Sequence, residues 1–178
     1  MSKSFVHLHA HTEYSMLDGA AKIDDYLDRV KELNQPGAAI TDHGNLYGAL
    51  EFYHSALKKK LIPIIGYEAY VINDSRFDRP DRENNKRYHL TLLAENTVGY
   101  WNLVKMASKA FTEGYYYKPR VDYELLKDHS EGIIALSGCL GGEISQFLAP
   151  DGSVEEGNQE GERSFSKALE KARFYQSI

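Results

Sequence analysis

Five short stretches of this chain carry residue types that bind metals or handle phosphate. The first is His7-Leu8-His9-Ala10-His11. On an extended segment alternate side chains face one way, so His9 and His11 project together. Two neutral imidazoles so placed can share a metal, although two unconnected exposed histidines would read the same. His7 lies on that face but deeper, and suits packing or a supporting position as well as ligation. The second stretch is Ile40-Thr41-Asp42-His43-Gly44. A histidine at the carboxyl end of a buried strand stands where parallel barrels keep their active sites. Asp42 beside it can cap or orient rather than ligate.

The third stretch, Gly66-Tyr67-Glu68, sets a carboxylate among apolar strand residues. Burying it is costly unless it meets a cation, whereas an edge position would leave it exposed. The fourth, Tyr88-His89-Leu90, puts another histidine in an apolar strand, where a hydrogen-bonded core histidine is the plain alternative. The fifth is Ser137-Gly138-Cys139-Leu140-Gly141-Gly142. A lone cysteine is usually a small buried hydrophobe. Its glycines, however, permit close backbone approach and expose amides near a helix start, which suits an anion or a metal-bound phosphate. Recurrence of these types at successive strands is harder to explain as packing. Mixed imidazole, carboxylate and thiolate ligands favour zinc, with manganese or iron possible.

The elements that must position these groups follow from periodicity. Residues 5–8 read as a strand. Ile23, Tyr26, Leu27, Val30 and Leu33 recur at helical spacing. Pro36-Gly37 breaks the chain, and residues 38–41 read as a buried strand. Residues 46–57 form a helix whose basic end, residues 58–60, suits the helix dipole. Residues 62–65 and 68–72 form a strand region around Gly66. The polar segment 73–87 reads as an exposed loop. A strand at 88–93 and a helix at 98–111 follow. The chain is then irregular to residue 120, with a short helix at 123–126, a strand at 132–136 and a helix at 142–148. An acidic, glycine-rich loop at 150–161, expected to be mobile, leads to a final helix at 162–175. This alternation argues for an α/β fold with a largely parallel sheet, and the polar residues at strand ends favour a barrel.

The 178 residues suffice for one domain with a real core. A hydrophobic fraction of 42% and a charged fraction of 26% belong to an ordinary soluble protein. The net charge of −5 argues weakly against this piece gripping DNA by itself. A single cysteine excludes an internal disulfide and suits a reducing cytosol. No signal-peptide or membrane-spanning run is found, so the expected location is cytoplasmic, with no membrane partner.

At these motifs the sequence resembles the polymerase-and-histidinol-phosphatase (PHP) superfamily. Within it, the chain is similar to the C-family polymerase alpha subunits of bacteria. Longer blocks carry that second likeness: residues 11–19, residues 89–96, Tyr117-Lys118-Pro119-Arg120, and residues 129–144. The resemblance implies a distorted TIM-like (β/α)7 barrel, lacking its last strands here, with up to three divalent metals at the strand ends. Of nine family ligands seven map, to His9, His11, Asp18, His43, Glu68, His89 and Cys139. An Asp-x-His pair has no match. Asp18 comes from the resemblance alone, since Leu17-Asp18-Gly19 reads equally well as a turn.

The likeness also implies that residues 1–178 are an amino-terminal PHP domain truncated at its carboxyl end, with the polymerase palm, thumb and fingers absent. The implied activity is a metal-dependent phosphoesterase, acting as a 3′–5′ proofreading exonuclease in a full-length DNA-directed DNA polymerase. No general base is needed beyond the ligands, because a metal lowers the pKa of bound water to about 7. The competing reading is a metal-stapled scaffold that supports the polymerase and docks a separate proofreading subunit. Expected partners are a primer 3′ end, a sliding clamp and that subunit, with magnesium at a polymerase site outside this chain. Lys118 and Arg120 could meet a phosphate backbone, but surface solvation is the preferred reading for both. A free-standing small-molecule phosphatase is disfavoured by the polymerase-type blocks.

Overall fold

The computed structural model describes residues 5–81, 84–148 and 159–178. Helix α1 (Ile23–Glu32) buries Ile23, Leu27 and Val30, one stripe at the expected spacing. Asp24 and Asp25 in its first turn and Arg29 and Lys31 in its last complement the dipole. The stripe packs on strand β1 (Gly37–Ile40) and helix α2 (Ala49–Lys58), enclosing Ile40, Phe52, Ala56 and Leu61. Each fully buried side chain of this size contributes roughly 1.5–3 kcal/mol.

Strand β2 (Ile62–Ile72) is the spine of the molecule. Along one edge it pairs in parallel with β1, from Gly37↔Ile62 to Ile40↔Ile65. An isolated parallel bridge, His43↔Glu68, follows on the same edge. Strand β4 (Arg120–Asp122) then continues that edge, Tyr70↔Arg120 to Ile72↔Asp122. On the other edge lies β3 (Tyr88–Ala94), antiparallel, with Glu68 opposite Thr91. Strand β5 (Ile133–Leu136) pairs antiparallel with β3. Helices α3 (Thr97–Thr112) and α4 (Tyr123–Asp128) cover this half. Leu103, Met106, Ala110 and Leu125 pack there against Tyr67, Ala69, Val71, Leu90 and Leu92. Helices α5 (Glu143–Leu148) and α6 (Gln159–Gln176) pack on each other.

The α/β class expected from the sequence is the one observed, built on a five-stranded sheet among the described residues. Four details differ. The sheet is mixed rather than largely parallel, because no crossover helix separates β2 from β3, and the chain returns antiparallel. Residues 5–8 form no strand. They run beside β1 through Ala39 N–H to His7 O and Thr41 N–H to Ala10 O, both 2.9 Å. The ladder is interrupted where Ala10 N–H donates instead to Thr41 Oγ1 at 2.8 Å. Strand β4 went unread because three residues are too few to display a period. Finally, the loop at 73–87 lacks regular structure in its described residues but is not simply exposed, since Arg76 is buried. Residues 149–158, most of the expected mobile loop, lie outside the described residues.

Candidate metal centre

The site is built around one carboxylate. Alternation along β2 turns Tyr67 into the core and Glu68 to the opposite face, toward the carboxyl end of β1. Glu68 is 1% exposed. Backbone bonds fix it on both sides: Glu68 N–H donates to Asp42 O at 3.0 Å and Gly44 N–H to Glu68 O at 2.8 Å. Gly44 has a left-handed φ of +66°, and a Cβ there would meet Tyr70 and Pro119 at 2.9 Å. Glycine therefore lets β1 turn away immediately after His43.

Four imidazoles surround this carboxylate. His43 Nδ1 lies 2.6 Å from Glu68 Oε2 and His89 Nδ1 3.2 Å from Oε1. His9 Nε2 lies 3.4 Å from Oε1 and His11 Nε2 3.4 Å from Oε2. His43 Nε2 reaches outward to Asp18 Oδ2 at 2.7 Å. His11 and His43 stack with centroids 4.1 Å apart, and Tyr70 also lies parallel to His43 at 6.0 Å. Three sets of donor atoms come close enough to share an ion: His9, His11 and Glu68; His11, Asp18 and His43; and His43, Glu68 and His89.

Both oxygens of Glu68, with His11 Nδ1 and His43 Nδ1, are buried without a hydrogen-bond partner of acceptable geometry. Their contacts are short, yet the lone pairs and N–H directions do not match. Buried polar atoms left in that state cost about 1–3 kcal/mol each. Donors that converge without bonding one another fit a cation between them. The residues present thus suit divalent metals.

The electrostatics agree. Burial pushes the Glu68 carboxyl up, but the close His43, His89 and His9 imidazoles outweigh it and hold the group below the usual carboxylate range. Glu68 in turn raises His43, against its own burial. Burial lowers His11, and the adjacent His43 lowers it further. The exposed Asp18 is lowered by its bond to His43.

Asp42 is buried and points away from these donors. Its Oδ1 accepts from Thr12 N–H and from Ser15 Oγ, both at 2.6 Å, and its Oδ2 accepts from Thr12 Oγ1 at 2.7 Å. His43 N–H donates to Ser15 Oγ at 3.0 Å. Asp42 therefore holds the 12–15 turn against β1, which aims His11 and His43. Thr12 and Ser15 were missed because an ordinary turn carries the same residue types.

The comparison with protein families matches the PHP domain to residues 7–178. This chain belongs to the PHP domain family. It is 56% identical over 151 residues to the DNA polymerase III subunit alpha of Thermus aquaticus, covering 83% of this chain and 12% of that protein. It is 46% identical over 177 residues to the same subunit of Helicobacter pylori strain 26695, covering 99% of this chain and 14% of that one. The chain thus spans about an eighth of the length of these relatives. Among solved structures, a metal-dependent phosphoesterase from Bifidobacterium adolescentis shares 17% identity at a TM-score of 0.43, covering 59% of this chain and 32% of that one.

The remaining predicted residues of this PHP domain fall outside the tight cluster. Cys139 Sγ lies at its margin, 3.8 Å from His89 Nδ1, and accepts from Gly141 N–H at 3.3 Å. His7 is exposed and meets the Phe5 ring edge-on. Lys118 is exposed, its ammonium 5.3 Å from the centre of the Tyr70 ring. Arg120 corrects the expectation of a solvated surface charge, being 1% exposed. Its guanidinium donates to the carbonyls of Gly114, Arg76 and Asp78 at 2.7–2.9 Å. Those three oxygens take three of its five N–H donors and offset part of the cost of burying it.

Proposed function

We propose that this chain is the amino-terminal PHP domain of a bacterial DNA polymerase III alpha subunit, a replicative DNA-directed DNA polymerase. Its centre acts there as a metal-dependent phosphoesterase that removes nucleotides from a primer 3′ end, a 3′–5′ proofreading exonuclease. The observation that carries this reading is the buried Glu68 carboxylate, encircled by four imidazoles and hydrogen-bonded to none. His9, His11, Asp18, His43, Glu68 and His89 would hold the metals, with Cys139 joining from beside His89. Zinc suits this donor set first, with manganese or iron as alternatives.

A divalent metal bound here supplies Lewis acidity at a phosphoryl oxygen. The chain's own residues position it. Asp42 fixes the turn that carries His11, and Glu68 spans donors from β1, β3 and the amino-terminal segment. His43 shares its two ring nitrogens between Glu68 and Asp18.

A second reading rests on where the donors come from. Residues 9–18, the end of β1, β2 and β3 are separate stretches, so metals would also staple them together. In that role the domain supports the polymerase and docks a separate proofreading subunit beside a sliding clamp. Magnesium would serve the polymerase site elsewhere in the protein. Among the described residues no helix is long and apolar enough to cross a membrane, and the proposed location is the cytoplasm.

The test uses the full-length subunit and a primer with a mismatched 3′ end. The native protein is expected to release mononucleotides, and a His9→Ala/His11→Ala double variant to lose that release together with bound metal. Unchanged release in the variant would overturn the assignment. Metal loss with reduced thermal stability, and no nuclease activity in either protein, would select the scaffold.

A further inference from the structure

The metal centre opens into a cavity of about 470 Å³. Its floor is Asp18, His43 and His89, and its walls are aromatic. Tyr70 packs directly on His43 and His89. Farther out, Tyr47, Phe111 and Tyr115 form a file with centroids 6.0 Å apart, the last two rings stacked at 18°. Tyr47 and Tyr115 remain 65% and 53% exposed. At the mouth Leu17 holds a left-handed φ of +70° and presents its whole side chain to solvent. A non-glycine residue in that conformation is strained, so the rim displays an apolar group at a cost. Lys118 supplies a cation over Tyr70.

We infer that this aromatic wall is a base-stacking subsite, which takes the unpaired terminal nucleotide of a single DNA strand while its phosphodiester reaches the metal donors. The inference deepens the phosphoesterase reading above and rests on it. Every nucleobase has a π-face, and stacking on aromatic side chains is strong and tolerant of sequence. The volume lies in the roughly 300–1,000 Å³ range of small-ligand sites, the scale of one nucleotide. Charge supports the same mode. Lys118 is the one lysine or arginine among the residues that line the cavity, so the aromatic wall and not a basic strip is what it offers a strand beyond the metal donors. Stacking holds the base while the metal donors take the phosphate, and a frayed mismatched end, already unstacked, enters more readily than a paired one.

The experiment compares two single strands on the full-length protein, one ending in a normal nucleotide and one in an abasic residue. The native protein is expected to favour the normal end by about tenfold or more in kcat/KM. In a Tyr47→Ala/Tyr115→Ala variant that ratio should fall toward one with metal content unchanged, and Tyr47→Phe/Tyr115→Phe should restore it. Equal use of both ends by the native protein would overturn the subsite and leave the phosphoesterase intact. Release from neither end would instead remove the reading on which the subsite rests. A double-alanine variant that keeps its preference, but loses the association of another replication protein, would reassign the wall to protein docking.

Discussion

Two buried charge clusters lie one in β2 and one just beyond its end, and they are finished differently. At Glu68 four imidazoles converge at 2.6–3.4 Å, yet both carboxylate oxygens lack a hydrogen bond. At the strand's end Arg76 meets Asp122 twice at 3.0 Å, Glu113 at 2.7 Å and Glu124 at 3.0 Å. Asp122 also accepts from the amides of Arg76 and Leu125. Those three carboxylates raise the Arg76 guanidinium above its ordinary value despite its burial. One cluster is closed on itself; the other is closed only when a cation is added. Burial of charge therefore does not mark a functional site, whereas burial of charge without complementary protons does.

That contrast can be broken by mutation. Arg76→Ala strands Asp122 unpaired and should destabilise the domain by about 3–5 kcal/mol, read as a lower urea midpoint, with metal stoichiometry unchanged. Parallel loss of metal would show that the two clusters are one unit. Glu68→Gln should do the converse. Metal affinity falls by more than about 100-fold, beyond the effect of an outer partner, while the metal-free protein loses little stability, since the replaced oxygens had no bonds to lose. Competition with a chromophoric chelator measures it.

Asp42→Asn tests the support of the site. Its amide would face donors on Thr12 and Ser15 and loosen the 12–15 turn, lowering metal affinity by about tenfold. An effect as large as that of Glu68→Gln would make Asp42 a ligand after all. The mildest lever is pH. Glu68 raises His43 above the ordinary histidine value, so the proton competes with a metal from above about pH 6.5 downward. Affinity should fall by at most about tenfold per pH unit on acidification and level off once pH exceeds the raised value. A flat profile through neutral pH would mean that His43 does not ligate.

Much of this was legible in the chain. Ile23, Leu27 and Val30 announced α1. The histidines, Glu68 and Cys139 were suspect by type and placement. Arg120 was misjudged, because two of the carbonyls that accept from it, Arg76 and Asp78, lie more than 40 positions away in sequence. Asp18 was indistinguishable from a turn residue until His43 was seen to reach it across 25 positions.

The sequence alone thus determined the helices, most strands and the candidate donors other than Asp18, because periods of 3.6 and 2 are local and each residue type carries its own chemistry. Only the tertiary structure decided which donors meet. That meeting depends on the register of β1 and β3 against β2, which brings His43 and His89 to the same face as Glu68. A shift of one residue in either pairing would send these side chains to opposite faces of the sheet.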